Sequence, residues 1–168
     1  VTVDRYNNML IVDRMYGRVY EYDERGNNLF AFGTRGTGYG QLSYPVSIET
    51  DHRGRVYVLN KTTGNITVYT PTEFADLVHE ANQLYSQGKY EESKQIWEQV
   101  IEKSNYYTLA LVNIGNILMR EEENDAAIEY FYEAENAQYA SEAFEEIRAD
   151  FLREHFSTIV IVIVVLLI

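Results

Sequence analysis

The chain has 168 residues, 26 acidic against 14 basic side chains, a net charge of −12, no cysteine and fifteen tyrosines. That length supports one or two small domains, and the missing cysteines exclude disulfides and thiolate metal sites. The negative charge argues against a surface for phosphate backbones, so no nucleic-acid partner is expected.

The acidity is uneven. Residues 1–70 carry 8 Lys/Arg and 7 Asp/Glu, whereas residues 71–168 carry 6 and 19. The second part therefore reads as a solvated acidic surface. The chain lacks an initiator Met and stops within an apolar run, which reads as a stretch of something longer.

Residues 1–70 contain a repeat at an offset of 47. Asp4 aligns with Asp51, Leu10–Asp13 with Tyr57–Asn60, Gly17 with Gly64, Val19 with Ile66 and Tyr22 with Tyr69. Short β-rich runs alternate with turn signals at Asn7-Asn8, Gly26-Asn27-Asn28 and Arg53-Gly54,. Strands are predicted over Val1–Val3, Met9–Val12, Arg18–Tyr22, Leu29–Phe32, Val46–Thr50, Arg55–Leu59 and Ile66–Tyr69. The second copy shows three strands where the first shows four, so a fourth strand would come from elsewhere.

Four short antiparallel strands in about 45 residues are the pattern of a propeller blade. The run from Phe32-Gly33 through Gly36, Gly40 and Leu42 to Pro45, Asp51, Gly54 and Val56-Tyr57-Val58 resembles the NHL-repeat family of β-propellers. In the other copy Val12-Asp13, Arg18-Val19 and Tyr22 fit the same pattern, while Asn65 departs from it where Arg18 stands. The resemblance implies that residues 1–70 are the last two blades of a propeller, with further blades outside this sequence.

Asp4, Asp13, Asp51 and Asn60 recur at equivalent places, which suits carboxylates and amides that accept backbone hydrogen bonds in turns. His52 has no partner at metal-ligand spacing. Asn60-Lys61-Thr62 and Asn65-Ile66-Thr67 match the glycosylation sequon, a short pattern that carries little by itself.

Residues 71–155 change period. Thr72 is placed to cap a helix running to about Gln87, and Gly88 to end it. Further helices are predicted over Tyr90–Lys103, Thr108–Glu121 and Asp125–Ala137, with a fifth from about Ser141. A second repeat runs through them at 34 residues, pairing Ala81 with Gly115, Ser93 with Ala127, Trp97 with Phe131 and Val100 with Ala134. Small residues recur where helices approach closely and aromatics where a neighbour must be filled.

Leu77, Ala81, Leu84, Gly88, Tyr90, Trp97 and Val100, then Leu111, Ile114, Gly115, Leu118, Ala127, Phe131 and Ala134, resemble the tetratricopeptide family. Glu80, Ser93, Asn105 and Glu122 depart from its usual residues. Such a resemblance implies a concave groove for a peptide or helix. Asn82, Tyr85, Asn113, Asn116 and Ile117 are the candidate groove positions. Glu121–Glu123 reads as a solvated turn, Trp97 as core, and His79 and His155 as no catalytic pair.

From Ile159 to Ile168 no residue is polar: Ile159, Val160, Ile161, Val162, Ile163, Val164, Val165, Leu166, Leu167 and Ile168. This run reads as the first part of a transmembrane helix whose remainder is missing. The fold class expected is thus multidomain: all-β propeller blades (1–70), an α-helical tetratricopeptide-like solenoid (71–155) and a truncated transmembrane helix (156–168).

No phosphate loop, nucleophile–base set or metal cluster stands out, so no cofactor and no enzymatic role are expected of this stretch. The expected function is a membrane-anchored interaction or scaffold protein, an accessory subunit of a transporter-like membrane complex. Its partners would be other proteins and, through the terminal helix, the lipid bilayer. A single-pass placement with extracytoplasmic domains follows from that reading. The alternative is a propeller hydrolase or lactonase whose active site lies in blades outside this sequence.

Overall fold

A computed structural model describes residues 1–167. Seven strands come first: β1 Thr2–Val3, β2 Met9–Asp13, β3 Arg18–Tyr22, β4 Asn28–Phe32, β5 Pro45–Thr50, β6 Val56–Asn60 and β7 Ile66–Tyr69. Five helices follow: α1 Glu73–Ser86, α2 Tyr90–Lys103, α3 Thr108–Arg120, α4 Asn124–Glu133 and α5 Ala137–Leu167. The chain divides into two compact units, Val1–Gln87 and Gly88–Ile168, so α1 belongs with the strands.

The first unit is built from one local device used three times. Asp4, Asp23 and Asp51 each open a five-residue turn between antiparallel strands. In each, the Asp amide donates to the carbonyl four residues on, at 2.9, 3.0 and 3.0 Å. The Asp Oδ1 accepts two further amides: from Tyr6 and Asn8, from Arg25 and Asn27, and from Arg53 and Arg55. The fourth residue must then turn left-handed, and Asn7, Gly26 and Gly54 do so at φ 65°, 84° and 75°,. These turns set register, and therefore which side chains of each strand face inward.

The strands form two antiparallel sheets, ordered β1-β2-β3-β4 and β5-β6-β7. Alternation puts Leu10, Val12 and Val19 on one face of the first sheet and Ile48, Val56 and Val58 on one face of the second,. Those faces meet, with Leu42 between, as the core of the unit; Phe32 and Tyr69 pack against it. Each fully buried aliphatic contributes about 1.5–3 kcal/mol. Hydrogen bonds between residues 47 apart join the sheets: Thr2 Oγ1 donates to Glu49 Oε2 at 3.1 Å, Thr50 Oγ1 to the Val3 carbonyl at 3.3 Å and Arg5 Nη1 to the His52 carbonyl at 3.2 Å. The 47-residue correspondence is thus a structural one.

The expected propeller is not found. Two open sheets of four and three strands make no closed propeller. Where β4 follows β3 in the first copy, Pro71 follows β7 in the second and α1 begins, capped by Thr72 Oγ1 accepting the Ala75 amide at 3.2 Å. A proline lacks the N–H that a further strand needs, so the chain leaves the sheet there and Thr72 caps the helix that follows,.

In the second unit each helix packs on the next in sequence, α2 on α3, α3 on α4 and α4 on α5. Gly115 lets Phe131 lie directly against the α3 backbone, since a Cβ there would meet Phe131 Cε1 at 2.5 Å. Helix α4 is shorter than expected and α5 begins earlier, at Ala137. Glu135 adopts a left-handed φ of 53°, and Asn136 Oδ1 accepts the Tyr139 amide at 3.2 Å, which starts the new helix,. The expected tetratricopeptide solenoid is also corrected: the first helix of its first pair, α1, is part of the sheet unit.

The expected single-pass membrane placement is overturned as well. Among the described residues no helix is long and apolar enough to cross a membrane. Helix α5 has 31 residues, but its part before the apolar run carries Asp150, Arg153 and Glu154. The apolar run from Ile159 to Leu167 spans about 14 Å at 1.5 Å per residue, roughly half a hydrocarbon core. Ile168, the last residue of that run, lies outside the described residues.

Candidate functional site

The densest polar cluster of the first unit lies beneath α1. Strand β3 reads Val19-Tyr20-Glu21-Tyr22, so Glu21 shares the inward face with Val19 and is only 4 % exposed. Helix α1 brings His79, 7 % exposed, down onto it. The His79 Nε2 donates to Glu21 Oε1 at 2.6 Å, and Asn8 Nδ2 donates to the same oxygen at 3.0 Å. A carboxylate can only accept, which puts a proton on Nε2.

Asn8 Nδ2 also donates to Asp4 Oδ2, at 3.2 Å, so two carboxylates share one amide. Burial, together with the Glu21 charge, pushes the Asp4 carboxyl above its ordinary value,. The imidazole is held by Tyr6 on one side, at 4.7 Å between ring centroids, and by the edge contact of Phe30 at 5.4 Å.

Ligand atoms of Asp4, Glu21 and His79 lie within 4.8 Å of one another, a set that could hold a divalent cation,. Asp4, however, already has an occupation. Its Oδ1 performs the turn-closing job that Asp23 and Asp51 perform in the other two turns. The His79–Glu21 bond is complete without an ion. The group is accounted for as a polar tie between α1, β3 and the first turn.

Two hollows flank His79. A cleft of about 290 Å³ is lined by Phe30, Phe32, Tyr69 and Phe74, with Glu21 and His79 at its polar end. A small void of about 60 Å³ is lined by Tyr6, Asn8, Arg25 and Asn82 among others. The second imidazole nitrogen, Nδ1, is buried and has no hydrogen-bond partner among the described residues. A carboxylate-held imidazole is half of an acid–base dyad, and the other half is a nitrogen that substrate can reach. Burial of Nδ1 denies that half.

The five groove positions inferred from sequence fall in different surroundings. Asn82 and Tyr85 lie on α1 and are engaged by one side chain. Arg25 Nη2 donates to Asn82 Oδ1 at 2.7 Å, and the guanidinium sits 4.5 Å from the Tyr85 ring centroid. Asn113, Asn116 and Ile117 lie on α3 of the other unit. Ile117 is fully buried, Asn113 is 2 % exposed with its Nδ2 unpartnered among the described residues, and Asn116 is half-buried. Of the membrane positions, Val160 to Leu166 are exposed on α5.

Sequence reasoning passed over Glu21, Asn8 and the role of His79. One signal was available: Glu21 is a charged residue on the strand face that its neighbour Val19 marks as inward. Its partner lies 58 residues away on another element, which no local pattern announces.

No protein-family model matches the chain, and no curated protein matches it either. The NHL and tetratricopeptide resemblances therefore find no support beyond the residues that suggested them.

Proposed function

We propose that this chain is a protein-interaction module, a scaffold element that docks other proteins through its helical part. One observation carries the reading. Along α5, Phe144, Phe151, Leu152 and Phe156 are all about half exposed or more. They recur at i, i+7, i+8 and i+12, which keeps them on one side of the helix. Single exposed apolar residues are ordinary, but four large ones on one side of a helix mark a contact surface.

Glu145 and Arg148, both exposed, share that side of the helix with the stripe, whereas Asp150 accepts from Asn124 of α4. The partner that fits is a protein with an apolar surface that also meets one charge of each sign. The buried His79 nitrogen supports reading the Glu21 cluster as an internal tie rather than as a reactive site.

A photo-crosslinking side chain at Phe151 or Phe156, compared with one at the exposed Glu98 on α2, tests this in cells that make the protein. The expected result is one dominant cross-linked protein from both stripe positions, lost when Phe151→Glu is added to the Phe156 probe. Equal, unselective labelling from Glu98 and from the stripe would overturn the reading.

A further inference from the structure

We infer that the sheet unit carries two mutually complementary open faces, through which one copy of this chain binds a second copy head to tail. This contact lies on the sheets and goes beyond the α5 reading.

The argument starts from the interface already inside the unit. The inward face of the first sheet carries Leu10, Val12 and Val19, and it packs on Ile48, Val56 and Val58 of the second. The repeat offset of 47 maps each face onto an unused one. Leu10, Val12 and Val19 map onto Tyr57, Leu59 and Ile66, and Glu21 maps onto Val68. Register confirms that these four share one face of the second sheet, because Leu59 pairs with Ile66 and Tyr57 with Val68. Here Leu59, Ile66 and Val68 are 41, 59 and 48 % exposed, whereas Leu10 and Val19 are 1 and 0 %.

The converse holds at the other end. Ile48, Thr50, Val56 and Val58 map onto Val1, Val3, Met9 and Ile11. Val1, Val3 and Met9 are 75, 53 and 41 % exposed, against 2 and 7 % for Ile48 and Val56. The molecule therefore holds a used pair of faces and an open pair that repeats its strand positions, though without a counterpart of the Leu42 that fills the used pair. The unused tail face, Leu59-Ile66-Val68, fits the unused head face, Val3-Met9-Ile11, of another copy as the first sheet fits the second.

Such a contact is heterologous: head meets tail, and each copy keeps one face open. Thr2 of one copy and Glu49 of the next stand at equivalent places, so they could face each other across it, although inside the unit Thr2 already donates to Glu49.

Complementation of single-face variants is the test. Met9→Glu spoils the head face and Ile66→Glu the tail face; both positions are exposed, so the fold tolerates them, and circular dichroism checks this. Sedimentation velocity on wild type should show mass rising with concentration. Each variant alone should associate roughly tenfold more weakly or less. Mixed together they should form a 1:1 dimer, because the intact tail of the first meets the intact head of the second. Wild type that stays monomeric throughout, variants that associate as wild type does, or a mixture that shows no dimer would each overturn the inference.

Discussion

Asp4 and Asp51 close equivalent turns with the same two amide bonds, yet their carboxyls shift in opposite directions. At Asp51 desolvation pushes upward, but the Arg55 guanidinium at 2.6 Å, the backbone amides and the Tyr57 hydroxyl outweigh it and hold the carboxyl well below the usual range. At Asp4 burial pushes upward and the Glu21 charge adds to it, while the Asn8 and Tyr6 amides pull down less. The linkage signs follow. A lowered native pKa gives stability that is present at neutral pH and lost on acidification, so Asp51 favours the fold above its ordinary value of 3.8,. A raised native pKa does the reverse: Asp4 costs stability as pH rises from about 4 through its native value. Asp4→Asn keeps an oxygen for the Tyr6 and Asn8 amides and removes the charge. Its urea midpoint relative to wild type should therefore improve as pH rises from about 4 to 7. A flat difference, or one moving the other way, would show that burial and the Glu21 charge do not raise the Asp4 carboxyl in the folded chain.

Packing of α3 on α4 turns on one glycine. Gly115→Ala gains about 1 kcal/mol of helix propensity, but its Cβ would sit 2.5 Å from Phe131 Cε1, inside any allowed contact. Overpacking of that kind costs about 1–3 kcal/mol, so the variant should melt lower, and Phe131→Leu in the same chain should recover part of the loss. A Gly115→Ala protein as stable as wild type would mean that Phe131 has room to move. The 34-residue repeat pairs Gly115 with Ala81 and Phe131 with Trp97, so it marks small and aromatic positions as recurring but does not say that Gly115 and Phe131 touch. The strands were legible because the Asp-containing turns are local, and Asn7, Gly26 and Gly54 announce them. What the strands assemble into was not legible. The 47-residue repeat is real in the structure, but a repeat does not say how many copies there are, and two sheets leave the ring unmade. The polar cluster escaped notice because Glu21 and His79 meet only when α1 folds back on β3. The apolar character of Ile159 to Leu167 does not by itself supply the length that a membrane crossing needs,.

At the scale of the molecule there are two compact units with separate cores. The first centres on Leu10, Val19, Ile48 and Val58, and the second contains Trp97, Leu111, Ile114 and Phe131, all at most 1 % exposed. Trp97 is the only tryptophan in the chain, so its fluorescence reports the helical unit, while amide exchange of β3 reports the sheet unit. His79→Ala strips Glu21 of its closest donor and leaves a buried carboxylate with Asn8 alone among the bonds described above. Leaving a buried acceptor one donor short costs about 1–3 kcal/mol; with a urea slope of about 1–3 kcal/mol per molar, β3 protection should be lost on the order of 1 M earlier. The Trp97 transition should stay where it was. Gly115→Ala should do the opposite, moving Trp97 and leaving β3. If both variants shifted both probes together, the two cores would unfold as one cooperative body, and the tie beneath α1 would be supporting the whole chain rather than its first eighty-odd residues,.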